Sequence, residues 1–426
     1  MSLSLSQIQA AVPSGGLYDG GWQFSPEPLR LSKSEVRFLT TLGHPLAKFQ
    51  QASDDLYRRS VQGKAPAWIA ALLDAGKPQW LRDWQRDPAS RAQQPRVIRP
   101  DLILAENGFA LTELDSVPGG IGITAWLSEV YSAAGFSVLG GERGMLDGFA
   151  SVLPENGAIL ISKESGDYRR ELEWLLSKVG GGREILQAED YRADGRSIYR
   201  FFEWFDWESV PAAPELAARA LRGELSFTPP PKPHLEEKLW LALFCTPGLR
   251  SLWEKELRGS HLERLKEIVP QGWIVDPAPL PPQAALPKLE VNSWQEVGAF
   301  SQKQRRLVLK ISGFNELAWG SRGVFIGHDL PTSEWTARLN HALDSHDTQP
   351  WVMQEFREAR VIEHPVFRED GSVQMMKGRV RLCPYYFTND AGETHLAGCL
   401  ATFAPVDKKK IHGMKDAVLL PCAVEE

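Results

Sequence analysis

Four cysteines in 426 residues, at Cys245, Cys383, Cys399 and Cys422, are few and widely spaced. None forms a CxxC pair, so the spacing suggests neither a zinc site nor a disulfide framework. No uninterrupted apolar run approaches the roughly 18 residues that a membrane span needs. The opening MSLSLSQIQA has neither the basic region nor the apolar core of a signal peptide. Positive charge is not in excess either: 48 Lys and Arg against 54 Asp and Glu give a net charge of −6. That balance provides no general attraction to nucleic acid or to an anionic membrane, and a cytoplasmic protein is expected. The nine His include no HExxH, no GxSxG elbow occurs, GGIG is not GxGxxG, and the Walker A pattern is missing.

What is present is an ordinary globular composition, 43% hydrophobic and 24% charged, with 15 scattered Trp suited to packing and pocket walls. The length suggests about two to three domains. Residues 1–95 read as a mostly helical scaffold, with helix-period apolar positions after a cap at Ser32. Residues 96–135 hold a hairpin, a Gly-rich turn from Pro118 to Gly122, and a helix from Ile123 to Ala134. Residues 136–226 alternate strand and helix as an α/β unit, with GAILIS and REILQ as strands. Three consecutive prolines at 229–231 mark a linker that excludes regular structure. The block 235–426 carries the strands LVLKI, VFIG and PWVMQEF.

The hairpin "RPDLILAENGFALTELDSVPGG" concentrates charge at the end away from its turn. A two-residue Asn107-Gly108 turn would place Asp101 opposite the face of Glu113. A three-residue loop, Glu106-Asn107-Gly108, pairs Asp101 with Glu113 and Arg99 with Asp115, with Gly108 left-handed at a bulge. In that register Leu102, Leu104, Ala110 and Leu114 share an apolar face, and Arg99, Asp101, Glu113 and Asp115 share the other. Adjacent carboxylates are costly to ionise without a cation. Hard oxygen ligands on a rigid sheet suit Mg²⁺, which completes its shell with water and phosphate oxygens. A solvated hairpin end neutralised by Arg99 is the other reading.

Further candidates are individually weak. Lys310 ends a β-branched strand before a loop containing Gly313, Gly320 and Gly323, a pairing that can hold nucleotide phosphates. Gln354 and Glu355 end the strand PWVMQEF, where backbone groups and a carboxylate can meet an adenine or ribose. Lys238 opens a helix with an apolar face. Arg379 and Arg381 alternate on GRVRL, suited to an anion or simply to a polar sheet face.

Taken together, these motifs resemble the ATP-grasp superfamily in its circularly permuted branch, which includes the synthetase domain of glutathionylspermidine synthase. That branch carries Arg-x-Asp, an eleven-residue gap, then Glu-x-Asn ahead of its nucleotide-binding strands; here the positions are Arg99, Asp101, Glu113 and Asp115. The resemblance implies an α+β ATP-grasp (circularly permuted) with an additional α/β unit and an N-terminal helical region. It further implies that Asp101, Glu113 and Asp115 ligate two Mg²⁺ ions and that Arg99 contacts the transferred phosphoryl group. ATP would be bound by Lys238, Lys310, the loop Gly320-Ser321-Arg322-Gly323, and Gln354 with Glu355. Asp115 departs from the usual Asn, and no amidase-like domain is present. The implied activity is an ATP-dependent carboxylate–amine ligase working through an acyl phosphate, on a small-molecule or peptide carboxylate and an amine. The alternative is a catalytically inactive nucleotide-binding regulatory or interaction protein of the same fold.

Overall fold

The computed structural model describes residues 3–257, 259–281, 284–318, 320, 322–408, 410–411 and 416–425. Ser32 caps a 29-residue helix, Lys33–Val61, accepting from Glu35 N while the Glu35 side chain returns to the cap backbone. Pro45 lies inside this helix without ending it. Shorter helices, Ala67–Asp74 and Gln79–Arg86, complete the N-terminal scaffold. Among the described residues no helix is long and apolar enough to cross a membrane. All four cysteines are free.

Three sheets organise the chain. The central one has seven strands, in the order Leu29–Leu31, Val418–Val424, Thr394–Pro405, Val373–Thr388, Val97–Ala105 and Gly108–Asp115, with Val361–Phe367 pairing Val373–Thr388 off this path. The single strand Val373–Thr388 occupies the stretch from which one or two strands were expected. Its first half alternates in burial and its second half is buried on both faces, as the two covers of the sheet require. One cover is the long N-terminal helix with the helices between 239 and 268; the other is formed by Ile121–Ala133, Gly144–Val152 and Arg169–Val179.

A second, antiparallel sheet runs Val324–Ile326, Leu307–Ile311, Trp351–Glu355, Gly272–Ile274. Its core includes Trp294, Trp335, Leu339 and Met353. The third sheet is parallel, in the order Glu184–Gln187, Ala158–Ile161, Ile198–Phe201, Phe227–Thr228. The Pro-rich linker therefore begins with a two-residue strand, Phe227–Thr228, and continues into a short 3₁₀ turn, Pro233–Glu236, where no regular structure was expected. The segmentation read from sequence does not follow the sheets. The 235–426 block is divided: 272–355 builds the second sheet, whereas 361–424 joins the hairpin of 96–135 and the strand at 29–31.

Candidate active site

The hairpin pairs Arg99 with Asp115 and Asp101 with Glu113, and Gly108 has φ +87°. The position of the extra residue differs from expectation. Near the turn Ala105 pairs with Gly108 and Leu102 with Leu111, so the irregularity falls between Asp101 and Leu102, where Thr112 is the additional residue on the facing strand. This changes the faces. Phe109 and Leu111 join Leu102 and Leu104 in the core, while Ala110, expected there, sits opposite Ile103 and lines a cleft. The reason is packing: a large aromatic at 109 fills the space under the helical cover better than alanine would.

Gly108–Asp115 is the edge of the central sheet, so its outer carbonyls need partners. The bulge presents two in succession. Lys310 Nζ donates to Thr112 O (2.8 Å) and to Gln354 Oε1 (2.8 Å), and Gln354 Nε2 donates to Leu111 O (3.1 Å). Two side chains of the second sheet thus join it to the edge of the first. Between the sheets is a cleft of about 330 Å³, lined among others by Asp101, Thr112, Glu113, Val308, Lys310, Ile326, Gln354 and Phe356.

Arg99 Nε donates to Asp101 Oδ1 (3.0 Å), Nη2 pairs with Asp115 Oδ2 (3.0 Å), and Nη1 donates to Gly119 O (3.2 Å). Asp101 Oδ2 accepts from Arg381 Nη1 at 2.9 Å. Burial works to raise the Asp101 carboxyl, but the Arg99 and Arg381 charges outweigh it and hold the group below the usual range. For Asp115 burial prevails: assisted by Glu113 and Asp101, and opposed by Arg99, it raises the carboxyl. Glu113 Oε1 lies 2.6 Å from Lys238 Nζ, which also donates to Ala318 O (3.1 Å). Burial depresses the Lys310 ammonium to about 8, with the Lys238 charge acting in the same direction.

Among the described residues no group of three or more His, Cys, Asp or Glu is placed to hold a metal ion. Asp101, Glu113 and Asp115 share one edge but are each matched to an arginine or lysine. The donor set is therefore not a cage that holds a cation by itself. It fits a hard cation arriving with phosphate oxygens and taking one or two carboxylates from the protein.

Of the other expected residues, Glu355 pairs with Arg357 at 3.1 Å and lines the cleft. Gly320 has φ +62°, and the nitrogen of Gly323 donates to Leu317 O (2.7 Å), folding the loop back on itself. Arg322 donates to Glu316 O (2.8 Å) and reaches Glu164 in the α/β unit (3.3 Å). Ser321, expected in the loop over the phosphates, lies outside the described residues. Arg379 and Arg381 both line the cleft, Arg379 within 3.8 Å of Glu358 and Arg381 on Asp101.

Several participants were not anticipated. Glu237 accepts from the Lys77 ammonium, from the Ser312 hydroxyl and from Gly313 N (2.6 Å), anchoring the start of the Gly-rich loop. Lys77 belongs to the N-terminal region read only as scaffold, and also stands 5.2 Å from the Phe314 ring. Glu171 receives Gly120 N (2.7 Å) and Ile123 N (3.0 Å) at the start of the helix Ile121–Ala133, which begins two residues earlier than expected. Burial nevertheless raises its carboxyl to about 7. Glu203 and Glu236 line a small cavity shared with Glu113, Asp115 and Lys238. Glu236 is bonded to the fully buried Arg200; the Glu203 carboxyl has no hydrogen bond or ion pair among the described residues, and burial beside Glu236 raises it to about 8. No residue pattern marks Glu203 or Glu171, whereas the alternation in GRVRL did place Arg379 and Arg381 on one face.

No family model matches the chain, and no curated protein matches it. Among solved structures, its fold is similar to that of a glutathione synthetase-like effector from Globodera pallida in the apo form. The TM-score is 0.54 at 12% identity, covering 99% of this chain and 97% of that one. A structure from Methylobacillus flagellatus, named for gamma-glutamylcysteine synthetase, aligns over 88% of this chain and 84% of its own at 12% identity, with a TM-score of 0.36 that carries no weight for the fold.

Proposed function

We propose that this chain is an ATP-dependent carboxylate–amine ligase of the circularly permuted ATP-grasp type, acting through an acyl phosphate. The observation that carries the reading is the cleft itself. The antiparallel second sheet meets the central sheet there through Lys310 and Gln354, beside the end of the hairpin that bears Arg99, Asp101 and Glu113. The structural neighbour's name, glutathione synthetase-like, is that of a ligase and supports the same reading.

In this reading Val308, Val324 and Ile326 face the base and Lys310 meets the phosphates from the cleft, with Lys238 reaching them from the adjoining small cavity that shares Glu113. Glu113 and Asp115 would hold Mg²⁺ together with phosphate oxygens, and the metal supplies neutralisation of charge on those oxygens. The substrate carboxylate oxygen attacks the γ-phosphorus, the bond to ADP breaks, and Arg99 offsets charge on the transferred group. Asp101 keeps Arg99 oriented from one side and Arg381 from the other. The amine nitrogen then attacks the acyl carbon and inorganic phosphate leaves. Glu203, with no ion pair of its own and a raised carboxyl, receives the proton lost by the amine.

The test is hydroxamate formation with hydroxylamine across a panel of carboxylic acids and small peptides, alongside ADP release. Glu113→Gln keeps the shape and removes metal-dependent turnover; Arg99→Met retains ATP binding and lowers turnover by about a hundredfold or more. If ATP binds tightly and a broad panel gives no trapped product, the protein is a nucleotide-binding module instead.

A further inference from the structure

A second cavity beside the second sheet is separate from the cleft. It measures about 610 Å³, within the range of ligand pockets, and lies between the helix Ala67–Asp74, residues 245–247, the strand Gly272–Ile274, and residues 286–287 and 346–347.

Its floor is a free sheet edge. Gly272–Ile274 is the last strand of its sheet. The ladder to Trp351–Glu355 uses the residues on either side: Glu355 N donates to Gln271 O (2.8 Å), and Val275 N to Trp351 O (3.0 Å). Antiparallel alternation then turns the main-chain groups of Gly272 and Ile274 outward. Gly272 O is taken by the Gln271 side chain at 3.0 Å. By that register the N–H and C=O of Ile274, which lines the cavity, point away from Val352 and toward the open edge. The walls are apolar: Leu72, Trp273, Leu286, and Trp68, which is 44% exposed. Acids dominate the lining, with the Lys288 charge reaching Cys245 from beside it. Asp276 and Asp347 are present and no Lys or Arg lines the cavity, whereas Arg306, Lys310, Arg357, Arg379, Arg381 and Lys410 line the cleft. His346 is tied to Val275 O through Nδ1 (2.8 Å), with Nε2 4.0 Å from Asp276.

We propose that this cavity binds an extended, cationic peptide segment. Its main chain pairs with the N–H and C=O of Ile274, an apolar side chain enters between Trp68 and Leu286, and a basic side chain meets Asp276 and Asp347. An added strand supplies a donor and an acceptor together, which is what the Ile274 edge requires, and pockets beside the edge select the side chains. The charge pattern favours a basic segment over an acidic one.

The test uses acetyl-Leu-Val-Arg-Val-amide, which has neither a free carboxylate nor a free amine and so cannot be a substrate of the proposed ligase. Calorimetry and tryptophan fluorescence should show saturable binding. N-methylating the central amides should weaken it by about tenfold or more, as should replacing the arginine with glutamate. The double variant Asp276→Asn, Asp347→Asn should lose the preference for arginine. Ala71→Trp, which fills the cavity, should abolish peptide binding while ATP binding is unchanged. Absence of saturable binding overturns the proposal, as does binding that is indifferent to N-methylation in the unmodified protein; the latter arm stands even if Ala71→Trp does not fold. Because peptide binding is measured without ATP, failure here leaves the ligase reading untouched, and failure of the ligase assay leaves this one.

Discussion

Asp101 and Glu203 are carboxylates in neighbouring parts of one region, treated in opposite ways. Asp101 is 4% exposed and matched on both oxygens by arginines, so it stays ionised despite burial. Glu203 has no such partner, and desolvation beside Glu236 raises it to about 8. Both surround the same end of the hairpin. The difference teaches that an acid here stays ionised when arginines bond both of its oxygens, as at Asp101; a lysine elsewhere in the same cavity, as for Glu203, or a single arginine, as for Asp115, does not outweigh burial. A region holding one permanently ionised acid and one that titrates near neutrality has the complement needed for charge positioning and for proton acceptance.

The sharpest way to break the contrast is Asp101→Ala. It leaves Arg99 and Arg381 facing each other without the charge between them, and removal of one partner from a buried pair costs about 3–5 kcal/mol. Urea denaturation should show a loss on that scale; a loss below about 1 kcal/mol would mean that water already compensates the arginines.

The second test reverses the sign. The folded pKa of Glu203 lies above the ordinary value of 4.5, so its protonated form favours the fold. That stability is complete below about pH 4.5 and is lost as pH rises through about 8. The parent should therefore weaken between those values, by on the order of a few kcal/mol at most since Glu203 and Glu236 share the titration. Glu203→Gln should flatten the profile and be the more stable protein above pH 8. Denaturant midpoints taken across this range decide it, and an unchanged slope would show that Glu203 is solvated.

A third comparison concerns the lysines. Lys310→Ala removes a charge-assisted contact to nucleotide and should weaken ATP binding by about one to two decades, or roughly 1.5–3 kcal/mol, by calorimetry. The smallest effect is expected where charge meets solvent. Arg322 and Glu164 pair at 3.3 Å with both side chains nearly half exposed. Arg322→Ala should change stability by about 0–1 kcal/mol, decreasing further with added salt.

Much of the local architecture was legible because it depends on short-range rules. Ser32 announced the long helix, the short apolar runs LVLKI and PWVMQEF announced strands, and Gly108 announced the turn. The pairing of Asp101 with Glu113 followed from period-two geometry once one extra residue was allowed. The location of that residue did not follow. It depends on Phe109 and Leu111 packing beneath the helical cover and on Lys310 and Gln354 taking the carbonyls at 111 and 112, all contacts between distant parts of the chain. The strands Leu29–Leu31, Val361–Phe367 and Val418–Val424 were missed for a related reason: the first is short, the last is buried on both faces, the middle one is largely exposed, and only their partners define them.

By itself, then, the sequence determined the helices, the strands flanking the turn at 106–107, and the concentration of Arg99, Asp101, Glu113 and Asp115 at one end, because capping, side-chain alternation and glycine conformation act over a few residues. Only the tertiary structure decided which cation each acid meets. Arg381, Lys238, Lys77 and Arg200 arrive from four separate segments, and ionisation in a buried site depends on through-space distance and desolvation, which chain order does not encode.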